Sequence, residues 1–399
     1  MTANHTHIPT PPPQSPWWPL FVVGAGVIGL LLLIRWAALT PVRPQAGGAA
    51  EASAENDALS WVIATGAEEG YPIQDLTPNS ARWERLAGAA RNAVDAGHEA
   101  TRRFVMTFYG ALDERTPGDR LAILGRFFAS RADVDLRLPL VPGPNRTLQA
   151  WPTLRVALFE YLALRDAEAA RVLAESWIQS RPDHPAEWAM ALRELIAGKE
   201  ASTWLPAMRP RISALLTDEV WVAQHPPGWA EALDIVAAGK AVEFLPQLAR
   251  LANRDQPRAV QYAAHDALQG LTVTAPALVL EALNLDTSLL ANNSGLRAGI
   301  FARADVRVPE QLRALEVYLG RPDVMAGERA KFTAQFPHHL ASAMPRLFTQ
   351  MQVQSPEDMA AQDRATIEQI DRWLADDHFA VWRKSFEHVR SRLSARANG

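Results

Sequence analysis

Residues 242–271 read VEFLPQLARLANRDQPRAVQYAAHDALQGL, and their apolar positions fall into two stripes. Phe244, Leu245, Leu248 and Leu251 form the first. Val260, Ala263, Ala264, Ala267, Leu268 and Leu271 form the second, at the three- and four-residue intervals that keep side chains on one face of an α-helix. Asp255 and Pro257 between them make a turn and a helix start, because proline fixes φ and lacks the N–H that a first helical turn leaves unpaired. Two short amphipathic helices joined by a tight turn must bury their stripes on neighbours, which yields a bundle or a row of stacked pairs.

The same pattern extends in both directions. Upstream, residues 79–112 place Trp83, Leu86, Ala90, Val94, Phe104, Val105, Phe108 and Leu112 at helical spacing, with Asn79 or Ser80 as cap, and Pro117 with Gly118 precede a helix over 120–130. Residues 138–144 form a Pro-rich loop. Helices are predicted over 154–164, 167–179, 185–197, 204–216 and 229–238, and downstream over 312–319, 356–375 and 378–396. Ser355, Pro356 and Asp358 spell the start of the 356–375 helix: a capping hydroxyl, proline at the first position and an acid three residues after the cap. No alternating period of two persists long enough to demand a sheet.

On these residues the chain resembles HEAT/armadillo-type repeats, whose second helix typically carries a valine, a basic residue, paired alanines and a leucine. VQYAAHDALQGL follows that order except that Gln261 replaces the basic residue. Leu296 and Arg297 hold the valine–arginine positions of the next pair, and Arg329, Phe332 and Phe336 mark a third; the resemblance covers residues 240–337. The stretch 154–196 fits more of the same, or tetratricopeptide pairs through Ala170, Trp177, Pro182 and Trp188. The resemblance implies an α-solenoid of stacked antiparallel helix pairs, and a surface for protein partners.

A different physics governs the N-terminus. Residues 20–39, LFVVGAGVIGLLLLIRWAAL, contain one charge, Arg35. About 20 apolar helical residues cover the ~30 Å hydrocarbon core of a bilayer, and Trp17, Trp18 and Trp36 stand where aromatic rings favour its interfaces. A cleavable signal is disfavoured, since no Lys or Arg precedes the run and the run exceeds a signal core. Gly24, Gly26 and Gly29 match a dinucleotide-binding fingerprint, but Pro41 and Pro44 rule out the strand that must follow. Ala25 and Gly29 form a small-xxx-small pair suited to weak self-association of the span. Arg35 and Arg43 favour a cytoplasmic body, whereas the missing cysteines and the Pro/Ala linker also suit an exported one.

The expected organisation is therefore all-α, an N-terminal single transmembrane helix followed by a HEAT-like α-solenoid. It comprises a Pro-rich tail (1–19), the span (20–39), a flexible linker (40–58), an N-terminal helical region (59–147), HEAT-like repeats (148–354) and capping helices (355–399). At 48% hydrophobic, the chain has ample material for a large core.

Composition narrows the function. Asp and Glu outnumber Lys and Arg by 44 to 40, so the basic footprint of a nucleic-acid binder is absent. There is no cysteine, hence no disulfide, thiolate metal site or cysteine nucleophile. Lys199, Lys240, Lys331 and Lys384 are the only lysines, a scarcity attributed to genome composition. His338 and His339 are adjacent, and His378 and His388 lie outside any H-E-x-x-H motif, so no metal site is expected. No P-loop or G-x-S-x-G elbow is present. The acid pairs Asp376/Asp377 and Glu68/Glu69 read as solvated turns. Trp83, Trp177, Trp188 and Trp204 are assigned to helix-pair cores. No catalytic, cofactor or metal residue is nominated.

The expected function is a membrane-anchored scaffold for protein–protein interaction. Two other readings stay open: an envelope enzyme whose acids converge only in the fold, and a peptide- or glycan-binding module lined by Trp151, Trp221 and Trp229.

Overall fold

The computed structural model describes residues 80–143, 147–179, 185–340, 345–349 and 353–397. The chain divides into two compact units, Met1–Glu55 and Asn56–Gly399, and every described residue belongs to the second. The tail, the span at 20–39 and the linker lie outside the described residues.

The described chain is mostly helical, in agreement with the all-α expectation. It opens with α1 (Ala81–Ala96), α2 (His98–Asp113) and α3 (Pro117–Ala129). Ser80 caps α1 by accepting from the Trp83 N–H, and Thr116 caps α3 in the same way from Asp119. The stripe over 79–112 is two helices rather than one, because Gly97 takes φ 108°, a left-handed conformation that ends α1 and re-aims the chain. A short antiparallel ribbon, β1 (Val141–Pro142) and β2 (Leu148–Ala150), follows. It is held to the helices by Glu160, which accepts from the Leu148 N–H and the Trp151 indole.

Next come α4 (Leu154–Arg165), α5 (Ala167–Gln179), α6 (Pro185–Ile196), α7 (Ala201–Thr217) and α8 (Glu219–Gln224). The predicted 229–238 helix is split at Leu233 into α9 (Trp229–Ala232) and α10 (Asp234–Ala238). Then follow α11 (Leu245–Leu251), α12 (Arg258–Thr274), α13 (Pro276–Leu285), α14 (Ser294–Phe301), α15 (Pro309–Leu319) and α16 (Ala326–Gln335). The terminal pair is α17 (Pro356–Ala375), capped by Ser355 as its sequence spells, and α18 (Arg383–Ala397). The start of the predicted 378–396 helix is instead a 3-10 turn, Asp377–Trp382, in which Phe379 leaves helical geometry.

Helix neighbours fall into two rows. In one, α4 packs on α6, α6 on α9, α10 on α12, α12 on α14, α14 on α16 and α16 on α18. In the other, α7 packs on α11 and α13 on α15. The stripe Val260, Ala263, Ala264, Ala267, Leu268 and Leu271 lies between them, wholly buried, as do Phe332 and Phe336. Among the described residues no single helix is long and apolar enough to cross a membrane; α12 and α13 reach that composition together across a 115° bend.

Buried ion pairs rivet the first row. Arg155, in the first turn of α4, meets Glu187, in the first turn of α6, at 2.7 Å, with the guanidinium 5.1 Å over the Trp177 ring. Arg297, in the first turn of α14, meets Glu328, in the first turn of α16, through two bonds of 2.8 and 2.7 Å, and Tyr318 of α15 donates to the same carboxylate. The arginine picked out by the repeat pattern thus bridges one helix of the row to the next. Glu328→Ala leaves the Arg297 guanidinium buried without its counter-charge, and we expect a loss of about 3–5 kcal/mol. Urea unfolding of the variant measures it, and a change within error of zero would remove this bridge from the architecture.

Candidate ligand-binding cleft

A cleft of about 410 Å³ opens where the C-terminal ends of α6, α10 and α12 come together. Its cations are Arg193, Lys199 and Lys240; Glu200 is the lining carboxylate; Trp204 and Phe348 supply aromatic wall. Arg193 is buried and bonded to Glu194 at 2.9 Å. Lys199 and Lys240 are exposed and occur in no ion pair among the described residues.

Both lysines sit just past a helix end, in turns that share a sequence. Ala197, Gly198 and Lys199 close α6; Ala238, Gly239 and Lys240 close α10, 41 residues on. In the first turn Gly198 is left-handed, with φ 69°. In the second, Ala241 N–H returns to Val236 O and Lys240 N–H to Ala237 O, a paired closure that places Lys240 at the left-handed position, φ 51°, where glycine is usual. Gly239 packs closely on α7: a Cβ there would stand 3.1 Å from Leu205 Cδ1 and Trp204 Cη2, so a larger residue would require those side chains to shift.

The remaining wall comes from far along the chain. After α16 the backbone turns back: His338 N–H donates to Ala302 O, and Leu340 and Gln354 clasp each other through bonds of 2.8 and 3.0 Å. Between these, residues 345–349 lie on α10 and α12. The buried Asp234 carboxylate accepts from Arg346 (3.2 Å), from the Phe348 and Thr349 N–H groups (2.9 Å each) and from the Thr349 hydroxyl (2.8 Å). Arg346 also reaches Asp266 at 2.6 Å. Gly270 makes room, since a Cβ there would lie 2.8 Å from Arg346 Nη1. We call this segment the strap.

Near the base of the strap His338 feels the charges of Arg303 and His339. Burial, then the Arg303 and His339 charges, pulls the His338 imidazole down to about 4. Burial, then Arg346, lowers the Arg303 guanidinium. His339 lies 3.0 Å from Asp363, which also receives Arg396, and burial lowers this imidazole as well.

The residues weighed from sequence are scattered. His338 and His339 sit in the strap base, His378 stacks edge-on to Phe379, and His388 is exposed. Among the described residues no three His, Asp or Glu side chains are placed to hold a metal. Asp376 caps the turn at His378, and Asp377 is fully exposed; Glu68 and Glu69 lie outside the described residues. Trp83, Trp177, Trp188 and Trp204 are core, as expected, and so are Trp151, Trp221 and Trp229, at 4, 6 and 0% exposure. The sequence nominates none of the cleft residues. Its available signal is the recurrence of Ala-Gly-Lys in a chain with four lysines. Comparison with protein-family models, curated proteins and solved structures finds no match to this chain.

Two outcomes follow from the strap's chemistry. Asp234→Ala removes the acceptor of a buried guanidinium and two backbone donors, so the Phe348 and Thr349 amides should exchange with deuterium far faster than in the parent chain while those of α15 do not; equal protection in both would discount the anchor. Acidification should act at His338: its folded-state pKa lies below the ordinary value near 6.5, so the unfolded chain binds the extra proton. The strap's stability is then full above about 6.5 and is lost as pH falls towards about 4. Amide exchange in 345–349, corrected for intrinsic rate, should rise over that window, and His338→Gln should flatten the rise.

Proposed function

We propose that this chain is a membrane-tethered helical-repeat scaffold: a HEAT-like α-solenoid of stacked antiparallel pairs, displayed to protein partners and held at the bilayer by a single span at residues 20–39. The observation that carries the reading is the two-row order of helices, in which each helix of the α4–α18 row meets the next member of that row rather than a distant one. Such stacking generates long continuous faces, the feature repeat proteins use for binding. Tethering adds to it by raising the local concentration of a bound partner.

One such face is apolar. Leu278 and Leu285, seven residues apart on α13, are 53 and 81% exposed, and Val317 on the adjoining α15 is 56% exposed. Asn284, which donates to Ala314 O at 2.8 Å, holds the two helices side by side there. The tryptophan-lined alternative lacks comparable support, because Trp151, Trp221 and Trp229 have little surface to offer.

The test has two parts. Membranes bearing the full chain are washed with alkaline carbonate; the chain should stay with the lipid, and a version lacking 20–39 should be released. Proteins cross-linked in situ to the parent chain are then compared with those of a Leu278→Ser/Leu285→Ser/Val317→Ser variant of unchanged circular dichroism. Loss of a reproducible partner in the variant is expected. Extraction by carbonate overturns the anchor, and an identical cross-linked set overturns this face as the binding surface.

A further inference from the structure

We infer that the cleft between the Ala-Gly-Lys turns binds a phosphomonoester, with the phosphate held by Lys199 and Lys240 and an apolar or planar body against Phe348. The inference is independent of the scaffold reading, and it rests on three observations.

First, the two lysines are brought to one cleft from positions 41 residues apart, and they are half of the lysines in the chain. Elsewhere arginine supplies nearly all positive charge and is consumed in defined bonds, such as those of Arg155, Arg297 and Arg346. Lysine differs chemically: its ammonium is a compact charge with three rotatable donors, suited to a phosphate that approaches from solvent.

Second, the charge balance favours an anion. Arg193 is offset by Glu194, and Glu200 offsets one further cation, which leaves a net positive lining. The carbonyl ends of α6, α10 and α12 oppose this, each contributing at most about half a unit charge at an exposed terminus and less for the one-turn α10, whereas the two ammonium groups are whole charges.

Third, the volume of about 410 Å³ exceeds what a bare ion needs and falls within the range of small-molecule sites. Phe348, half-buried, lines the same cleft from the strap, which leaves room for a ligand with a body as well as a charge.

A phosphomonoester is selected over a carboxylate because it carries nearly two charges above its second pKa of about 6, matching two ammonium groups. Its source is either a soluble phosphorylated compound or a lipid headgroup such as phosphatidate, and the two are separated experimentally. The full chain is reconstituted in phosphatidylcholine nanodiscs, and phenyl phosphate is titrated at mildly alkaline pH with phosphorus NMR. Saturable binding is expected, weakened about tenfold or more in Lys199→Ala/Lys240→Ala and unchanged in Lys331→Ala/Lys384→Ala, which removes the same charge elsewhere.

Lys240→Gly supplies a readout that a damaged fold cannot imitate: the melting temperature should rise as the strained position is relieved, while affinity falls. In a second arm, phosphatidate replaces part of the nanodisc lipid, and flotation with phosphatidate vesicles is compared between parent and double variant. Binding of free phenyl phosphate identifies a soluble source as sufficient, whereas lysine-dependent retention on phosphatidate alone identifies the headgroup. Absence of any dependence on the cleft lysines in both arms, or equal weakening by the control pair, overturns the inference.

Discussion

A charged side chain buried between two helices can stay charged only if its partner is held in register, and this constraint organises the first row of helices. The Arg155–Glu187 and Arg297–Glu328 bridges each join the opening turn of one helix to the opening turn of the next helix in that row. Taking both charges out of water is expensive, so the pairs add little net stability over well-packed apolar residues. Their effect is on geometry. A slip of one turn between α14 and α16 would strand a guanidinium in the core, and so the row has one low-energy register. Glu328 also stands in the first turn of α16, where the helix dipole favours a carboxylate.

The cleft inherits its shape from that register and from the strap. Lys199 and Lys240 line one cleft because α6 and α10 both end there, and Trp204 packs against the second of those turns at Gly239. Residues 347–349 complete the wall through Asp234. Seating of the strap and occupancy of the cleft are therefore linked: whatever loosens Arg346 from Asp234 also removes Phe348 from the pocket. The link needs no motion of the helices themselves.

The periodic parts of this architecture are legible in the sequence. The stripe from Val260 to Leu271 is buried as read, and the α5 and α17 boundaries coincide with residues 167–179 and 356–375, through the apolar period and, for α17, the Ser355 cap. The break at Gly97 is hidden, since the apolar stripe continues across it and only the backbone angle ends the helix. The 3-10 start before α18 is hidden for the same reason: Phe379 and Trp382 keep an apolar rhythm while the backbone departs from the helix. The cleft is illegible for a different cause. Its lysines belong to no motif with known chemistry, and their meaning comes from a contact between turns far apart in the chain. The strap is hidden because it has no period at all; its one compositional mark is that no Asp or Glu occurs between Glu328 and Glu357.

That acid-free stretch bears on how the molecule is made. A chain leaving the ribosome folds from its N-terminal side first, and contacts between distant residues form late because loop closure must precede them. Asp234 and Asp266 emerge and are packed into α10 and α12 well before Arg346 exists. During that interval the seat is an open notch with two carboxylates and no arginine. It is filled late, by a segment that carries no carboxylate to compete for its own arginine.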